Sequence, residues 1–350
     1  MNALATGSDT RTGLDAGQLD ALADYLRRHV GAGPGAIEAR PLTGGQSNPT
    51  ILVESGSRRW VVRRKPAGAL LASAHAIDRE FLVMRALQNS AVPVPEVYAY
   101  CEDATCIGVP FYVMEHVQGR TFTDPALPGL TVDQRQRVYQ ALGRTIAALH
   151  GVDVQALGLA DYGRPRGFLR RQLQRWTAQY RASQTENIDA MERLIGWLEQ
   201  HLPDSDDPCL VHGDFRIDNL LFHPEREEVV AVIDWELSAL GHGLVDFAYH
   251  AMAWRVSAQE FRGMRGEDLA ALGIPSEAAY LRAYCERRGL PEPADWTALL
   301  AFNMFRMAAI LQGILHRALN GNAAASDALD NGRKARLMAE AGWRLVGTAR

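Results

Sequence analysis

Leu210-Val211-His212-Gly213-Asp214-Phe215-Arg216-Ile217-Asp218-Asn219-Leu220-Leu221-Phe222 decides how the rest of the chain is read, with Val229-Val230-Ala231-Val232-Ile233-Asp234-Trp235 behind it. Apolar runs flank a polar loop on both sides. The run from Val229 to Ile233 is rich in β-branched residues and delivers Asp234 at its end. Two polar groups therefore leave a loop, and a third leaves a strand that can pair back as a hairpin. Asp214 and Asn219 are five residues apart, and Asp234 comes fifteen later. Hard oxygen ligands suit Mg²⁺, which keeps several waters and needs few protein groups. A carboxylate outside the metal shell can take the proton of an attacking alcohol. Asp214 is given that role, and Asn219 and Asp234 the metal.

The spacing resembles the kinase catalytic loop, H-x-D-x-x-x-x-N, followed by the metal-binding Asp of D-F-G. Here it reads His212-Gly213-Asp214 through Asn219, then Asp234-Trp235-Glu236. The His-Gly-Asp form resembles the aminoglycoside phosphotransferase and choline kinase branch, which phosphorylates small molecules. With Gly45-Gln46-Ser47-Asn48-Pro49-Thr50, Ser73-Ala74-His75-Ala76 before Arg79-Glu80, and the late run Phe305 to Gly313, the chain looks closest to phosphotransferase domains related to those fused to acyl-CoA dehydrogenases. The resemblance covers roughly residues 37–320.

Composition sets outer bounds. The chain has 350 residues, 47% apolar and 22% charged, enough for two lobes with separate cores. A net charge of −4 argues against general nucleic-acid binding. Nearly all basic charge is Arg, with Lys only at Lys65 and Lys334. Cys101, Cys106, Cys209 and Cys285 are too few and too scattered for a disulfide framework, which points to a reduced cytoplasmic setting. The first residues lack a signal-peptide pattern, and no apolar run reaches the roughly 18 residues of a membrane span.

In chain order, residues 1–14 read as a disordered tail and Asp15–Val30 as a capped helix with Leu19, Leu22, Leu26 and Val30 inward. Strands are expected at Ile37–Leu42, Thr50–Val53 and Arg59–Arg64. The Gly44-Gly45 turn between the first two resembles the phosphate loop of small-molecule kinases, which places Ser47 and Asn48 at the nucleotide. Trp60-Val61-Val62-Arg63 aligns with the strand that carries the phosphate-binding Lys, but holds Arg63 there, with Lys65 in reserve. Ser73–Asn89 reads as a helix with Ile77, Phe81, Met84 and Leu87 buried. Glu80 falls on that apolar face and needs a partner, for which Arg63 is the natural candidate. Pro110–Val117 is a strand whose end, by resemblance, presents the backbone of Glu115 and Val117 to adenine. Helices are expected at Thr131–His150, Thr185–Leu202, 276–290 and 297–320. The segment Arg164–Arg181 carries six arginines and no acid.

The resulting expectation is an α+β, two-lobed protein-kinase-like fold. Its β-rich nucleotide lobe runs over 15–117 and its mainly helical catalytic and acceptor lobe over 118–350. The implied reaction moves the γ-phosphoryl group of ATP, with Mg²⁺, to a hydroxyl of a small molecule. In it Asp214 is the base and Arg216 offsets developing charge. Asp246 is read as a brace for the loop. The arginine-rich segment and Arg306, lodged in an apolar helix, suggest an anionic acceptor, such as a hydroxy acid or hydroxyacyl-CoA. No nucleic acid or membrane partner is expected. Three other readings stay open: a nucleotide-binding pseudokinase, a metal hydrolase built on His212, Asp214, His223, Asp234, His242 and His250, and a protein kinase. Only eleven residues separate Asp234 from Asp246, which is short for a protein-kinase activation segment.

Overall fold

The computed structural model describes residues 12–42, 48–66, 76–164, 166–204, 208–321 and 327–348. The chain divides into two compact units. One comprises the residues up to Gln118 together with Ile233–Glu236, and the other comprises Gly119–Val232 and the residues from Leu237 onward. The four-residue excursion is invisible to a linear reading, because it follows from which side chains Asp234 and its neighbours pack against.

The first unit is built on a five-stranded antiparallel sheet. Its strands are β1 (Glu38–Pro41), β2 (Thr50–Ser55), β3 (Arg58–Arg64), β4 (Val97–Cys101) and β5 (Phe111–Glu115), in the order β1-β2-β3-β5-β4. Pairing sets Ile51 opposite Val62, Val53 opposite Trp60 and Val62 opposite Val113. This row faces α1 (Ala16–His29), whose Leu22 and Leu26 join Leu14, Phe111 and Cys101 in one buried core. The helix starts in a capping box between Asp15 and Gln18, worth about 1 kcal/mol. Strand periodicity sends Leu52, Val61, Arg63 and Tyr112 to the other face, where α2 (Ile77–Leu87) lies. Both faces are covered, so β3 is buried from Trp60 to Arg63. On α2 the buried stripe is Ile77, Glu80, Val83, Met84 and Leu87. Val83 takes the place expected of Phe81, which is half-buried beside Tyr100 and Tyr112. The Ser73 start of that helix and the Gly44-Gly45 turn lie outside the described residues.

The second unit is mainly helical. It contains α3 (Val132–His150), α4 (Phe168–Ala182), α5 (Asp189–His201), β6 (Pro208–Val211), β7 (Leu220–Phe222), β8 (Val229–Val232), β9 (Ala239–His242) and α6 (Gly243–Ala251). After these come α7 (Ala258–Phe261), α8 (Leu269–Leu272), α9 (Glu277–Arg288), α10 (Trp296–Leu319) and α11 (Ala328–Gly347). β7 and β8 form the expected hairpin, and β6 pairs with β9. The segment read as Arg-rich becomes a helix only from Phe168, and the one read from Thr185 only from Asp189. α10 is long and apolar enough to cross a membrane, although Asn303, Arg306 and Gln312 interrupt its apolar residues. Its mean hydropathy reaches 1.6, but 83% of that window is buried inside the protein. Its apolarity is accounted for by packing against α4, α5, α6 and α11. An aromatic cluster locks α6 to α9. Phe247 stacks on Tyr284 at 4.1 Å and on Tyr280 at 5.3 Å, so truncating it to Ala would cost about 3–5 kcal/mol.

Candidate active site

Local backbone chemistry explains the His-Gly-Asp order. β6 ends at Val211, and Gly213 adopts φ +82°. A Cβ there would stand 2.4 Å from the Leu237 carbonyl oxygen, so only glycine fits between His212 and Asp214. Asp246, in the first turn of α6, accepts the backbone N–H groups of His212 at 2.7 Å and Gly213 at 2.9 Å. Its other partner is His150 Nε2 at 3.2 Å, and His150 Nδ1 in turn meets the Tyr284 hydroxyl at 2.7 Å. Burial opposes charge on Asp246, but the His150 contact and these donors overcome it and hold the carboxyl below the usual range. Asp246 thus braces the loop, as its position in the sequence suggests. His212 is fully buried, and its Nδ1 accepts the Asp214 N–H at 3.2 Å.

Asp214 is held by three side chains. Tyr249 donates its hydroxyl to Oδ1 at 2.5 Å. Asn219 donates to Oδ2 and to the Asp214 carbonyl, both at 2.9 Å. Arg216 Nε lies 3.0 Å from Oδ1. Burial works against the Arg216 charge, yet Tyr249, Asp214 and Asp218 outweigh it and raise its pKa. The Asn219 amide nitrogen is committed, which leaves its carbonyl oxygen as the atom available to a hard cation. Tyr249 was missed from sequence. The available signal was its place one turn after Asp246 on the same helix.

In the first unit the centre is Arg63. Its Nε lies 2.8 Å from Glu80 Oε2 and its Nη2 2.5 Å from Asp234 Oδ1. Glu80 also accepts Asn48 Nδ2 at 2.8 Å and the Tyr112 hydroxyl at 3.0 Å. Burial pushes the Glu80 pKa up, and the Arg63 cation with the Tyr112 hydroxyl pulls it back only in part. Burial disfavours the Arg63 cation, but Glu80, Tyr112 and Asp234 reverse this and raise its pKa. Asp234 sits at φ +67°, a conformation Asp tolerates better than most side chains. Its Oδ2 has no hydrogen bond among the described residues, and ligand atoms of Glu80, Asp234 and Glu236 lie within 4.8 Å of one another. Of the three, Glu80 already accepts from Arg63, Asn48 and Tyr112, so Asp234 is the one whose oxygen would suit a hard cation such as Mg²⁺. Among the described residues no such group contains a His.

The remaining expectations fare unevenly. Ser47 lies outside the described residues. Asn48 is buried with its amide nitrogen turned to Glu80, so that nitrogen serves the ion pair rather than a phosphate. The Glu115 N–H is used within the sheet by the Glu96 carbonyl at 2.8 Å. Val117, just past β5, has no backbone partner for its N–H among the described residues. In the arginine-rich segment, Arg171 binds the Arg164 and Arg166 carbonyls, Arg170 pairs with Asp204 and Arg175 lies over Trp176. A cavity beside Arg216 and Tyr249 is walled by Leu142, Ile217, Met252, Trp254, Val256 and Phe261. Its one acid, Asp218, is paired with Arg262 at 2.5 Å.

Residues 38–302 match the model of the phosphotransferase enzyme family. The chain belongs to that family. It is 47% identical over 327 residues to acyl-CoA dehydrogenase family member 10 of Mus musculus, covering 93% of this chain but 31% of that protein. The chain thus spans about a third of that relative's length. A crystal structure from Ralstonia eutropha, provisionally designated an aminoglycoside phosphotransferase, is 47% identical with a TM-score of 0.86, covering 94% of this chain and 98% of that one. A thermostable aminoglycoside phosphotransferase bound to ADP and hygromycin B is 18% identical with a TM-score of 0.60, covering 93% and 98%. The fold is therefore the α+β protein-kinase-like fold of the aminoglycoside phosphotransferases.

Proposed function

We propose that this chain transfers the γ-phosphoryl group of ATP to a hydroxyl of a small, anionic acceptor in the cytoplasm. The observation that carries the reading is Asp214, a carboxylate fixed by Tyr249, Asn219 and Arg216 in the loop of a phosphotransferase-family chain. The acceptor oxygen attacks the γ-phosphorus while the bond to the β–γ bridging oxygen breaks, and ADP leaves. Asp214 takes the hydroxyl proton. Arg216 offsets charge on the transferring group. Arg63, steadied by Glu80, orients the α- and β-phosphates, and Asn48 steadies Glu80. The backbone at Glu115 and Val117 faces adenine. Asn219 and Asp234 are the residues that would hold Mg²⁺, which when bound neutralises phosphate charge.

The acceptor class is argued from charge and polarity. A site for a polycation needs surplus acid, whereas the cavity beside Arg216 is apolar and its one acid is already paired with Arg262. That favours a hydroxy acid or a hydroxyacyl-CoA, and the relatives' names favour the latter. A pseudokinase is the second reading, favoured by the engagement of Arg63 with two carboxylates. One experiment separates them. ADP release is measured with hydroxy acids, hydroxyacyl-CoAs and aminoglycosides at rising salt. Turnover confined to anionic acceptors, weakening with salt and with Arg→Ala changes over 164–175, is expected. Turnover of aminoglycosides alone would overturn the acceptor class, and absence of all turnover with retained nucleotide binding would favour the pseudokinase.

A further inference from the structure

An arginine in the middle of an apolar helix needs a reason to be there. Arg306 lies on α10 between Phe305 and Met307, both buried, and no acid pairs with it among the described residues. Its Nη2 donates to the Gly213 carbonyl at 2.6 Å, the peptide that leads directly into Asp214. Its guanidinium lies over the Tyr249 ring, 5.1 Å from the centroid, and over Trp176, 5.4 Å from that centroid. Tyr249 in turn donates to Asp214 Oδ1. One side chain thus grips the base from two directions, through the backbone before it and through the ring of its hydrogen-bond donor. We propose that Arg306 is a positioning residue for phosphoryl transfer, fixing Asp214 through the Gly213 carbonyl and through Tyr249.

Packing supports this over a solvated or purely structural arginine. The two rings hold the guanidinium plane, so the fork is preorganised rather than mobile. Burial and Asp214 hold the Tyr249 proton on its oxygen, while Arg306 and Arg216 pull the other way without prevailing. Tyr249 therefore stays a donor to Asp214, with a cation behind its ring that strengthens that donation. Lysine keeps the charge and a donor but has neither the planar fork nor the stacking surface, so it reproduces this arrangement only in part.

The inference rests on the phosphotransfer reading, so its test carries one readout that does not depend on activity. Arg306→Met is expected to lower kcat on the order of 10–100-fold, as small displacements of reacting groups do, with both KM values within about twofold of wild type. Arg306→Lys should recover part of that loss. Tyr249→Phe should cost several-fold alone and much less on top of Arg306→Met, because the hydroxyl is then no longer aimed. In parallel, urea midpoints of the two single variants and the double variant should be non-additive, whether or not an acceptor is known. A rise in acceptor KM with kcat unchanged would make Arg306 an acceptor ligand and overturn the proposal. Additive midpoints would overturn it as well. Non-additive midpoints in a chain that transfers no phosphate would instead count against the phosphotransfer reading.

Discussion

In the first unit a cation is surrounded by acids. Arg63 is buried between Glu80 and Asp234, with Glu236 close by. In the second unit a carboxylate is surrounded by donors, as Tyr249, Asn219 and Arg216 converge on Asp214. An uncompensated charge in either place would be expensive, and each unit compensates its own. The residual charge differs. Three carboxylates against one guanidinium leave the first cluster with surplus negative charge, which a divalent cation would neutralise. In the second, Asp214 and Asp218 are balanced by Arg216 and Arg262, with Arg306 behind. The first cluster is thus suited to hold a cation and the second to hold one carboxylate in one orientation.

The hardest test of that contrast is Asp214→Asn. It keeps the Tyr249 and Arg216 contacts sterically possible but removes the proton acceptor. Transfer should fall on the order of 10²–10⁴-fold, while nucleotide affinity, which the proposed function assigns to other residues, should change little. Near-normal turnover would remove Asp214 from the chemistry.

The Arg63 cluster responds in a different currency. Arg63→Ala leaves Glu80 buried without its cation, which should cost about 3–5 kcal/mol of stability. Glu80→Ala should do comparable harm, and the double variant much less than the two added, as measured by urea unfolding. Additive losses would mean the pair is not one energetic unit. Asp234→Ala separates the cluster's two tasks. It should reduce Mg²⁺-dependent ATP affinity in calorimetry more than it reduces stability, because Arg63 retains Glu80. Unchanged Mg-ATP affinity would move the metal elsewhere.

Periodicity and spacing made one half of this legible and left the other half out of reach. Alternation along β3 and the apolar stripe of α2 place Arg63 and Glu80 on facing surfaces, and the pair is found there. The His-Gly-Asp spacing carries its own reason, since a side chain at Gly213 would strike Leu237. The Arg63–Asp234 bond was beyond such reasoning, because it spans 171 positions and no local pattern encodes it. The same limit hid the turning of Asn48 toward Glu80, 32 positions away. Phe81 and Val83 show a further limit: both positions sit near the α2 stripe, and which one is buried depends on the neighbouring rings of Tyr100 and Tyr112.

The smallest expected effect concerns how the second unit keeps its donors in place as pH falls. His250 follows Tyr249 on α6, and Nε2 meets the Tyr280 hydroxyl at 3.1 Å among Phe215, Phe247 and Trp254. Burial pushes its pKa down to about 4, against a smaller upward pull from Asp246. The folded state therefore keeps His250 neutral where the unfolded chain, with an ordinary value near 6.5, already binds a proton. Stability should be at its full value above about pH 6.5 and fall as pH drops toward 4, by up to about 3 kcal/mol from this group. Below that window both states are protonated and the contribution is flat. His250→Gln keeps a partner for Tyr280 but cannot take up a proton. Its urea midpoint should vary less with pH than wild type between 6.5 and 4, and activity should decline at a lower pH than in wild type. If the two proteins lose stability in parallel across that window, acid sensitivity resides elsewhere, and the neutral surroundings of α6 are not what keeps Tyr249 directed at Asp214.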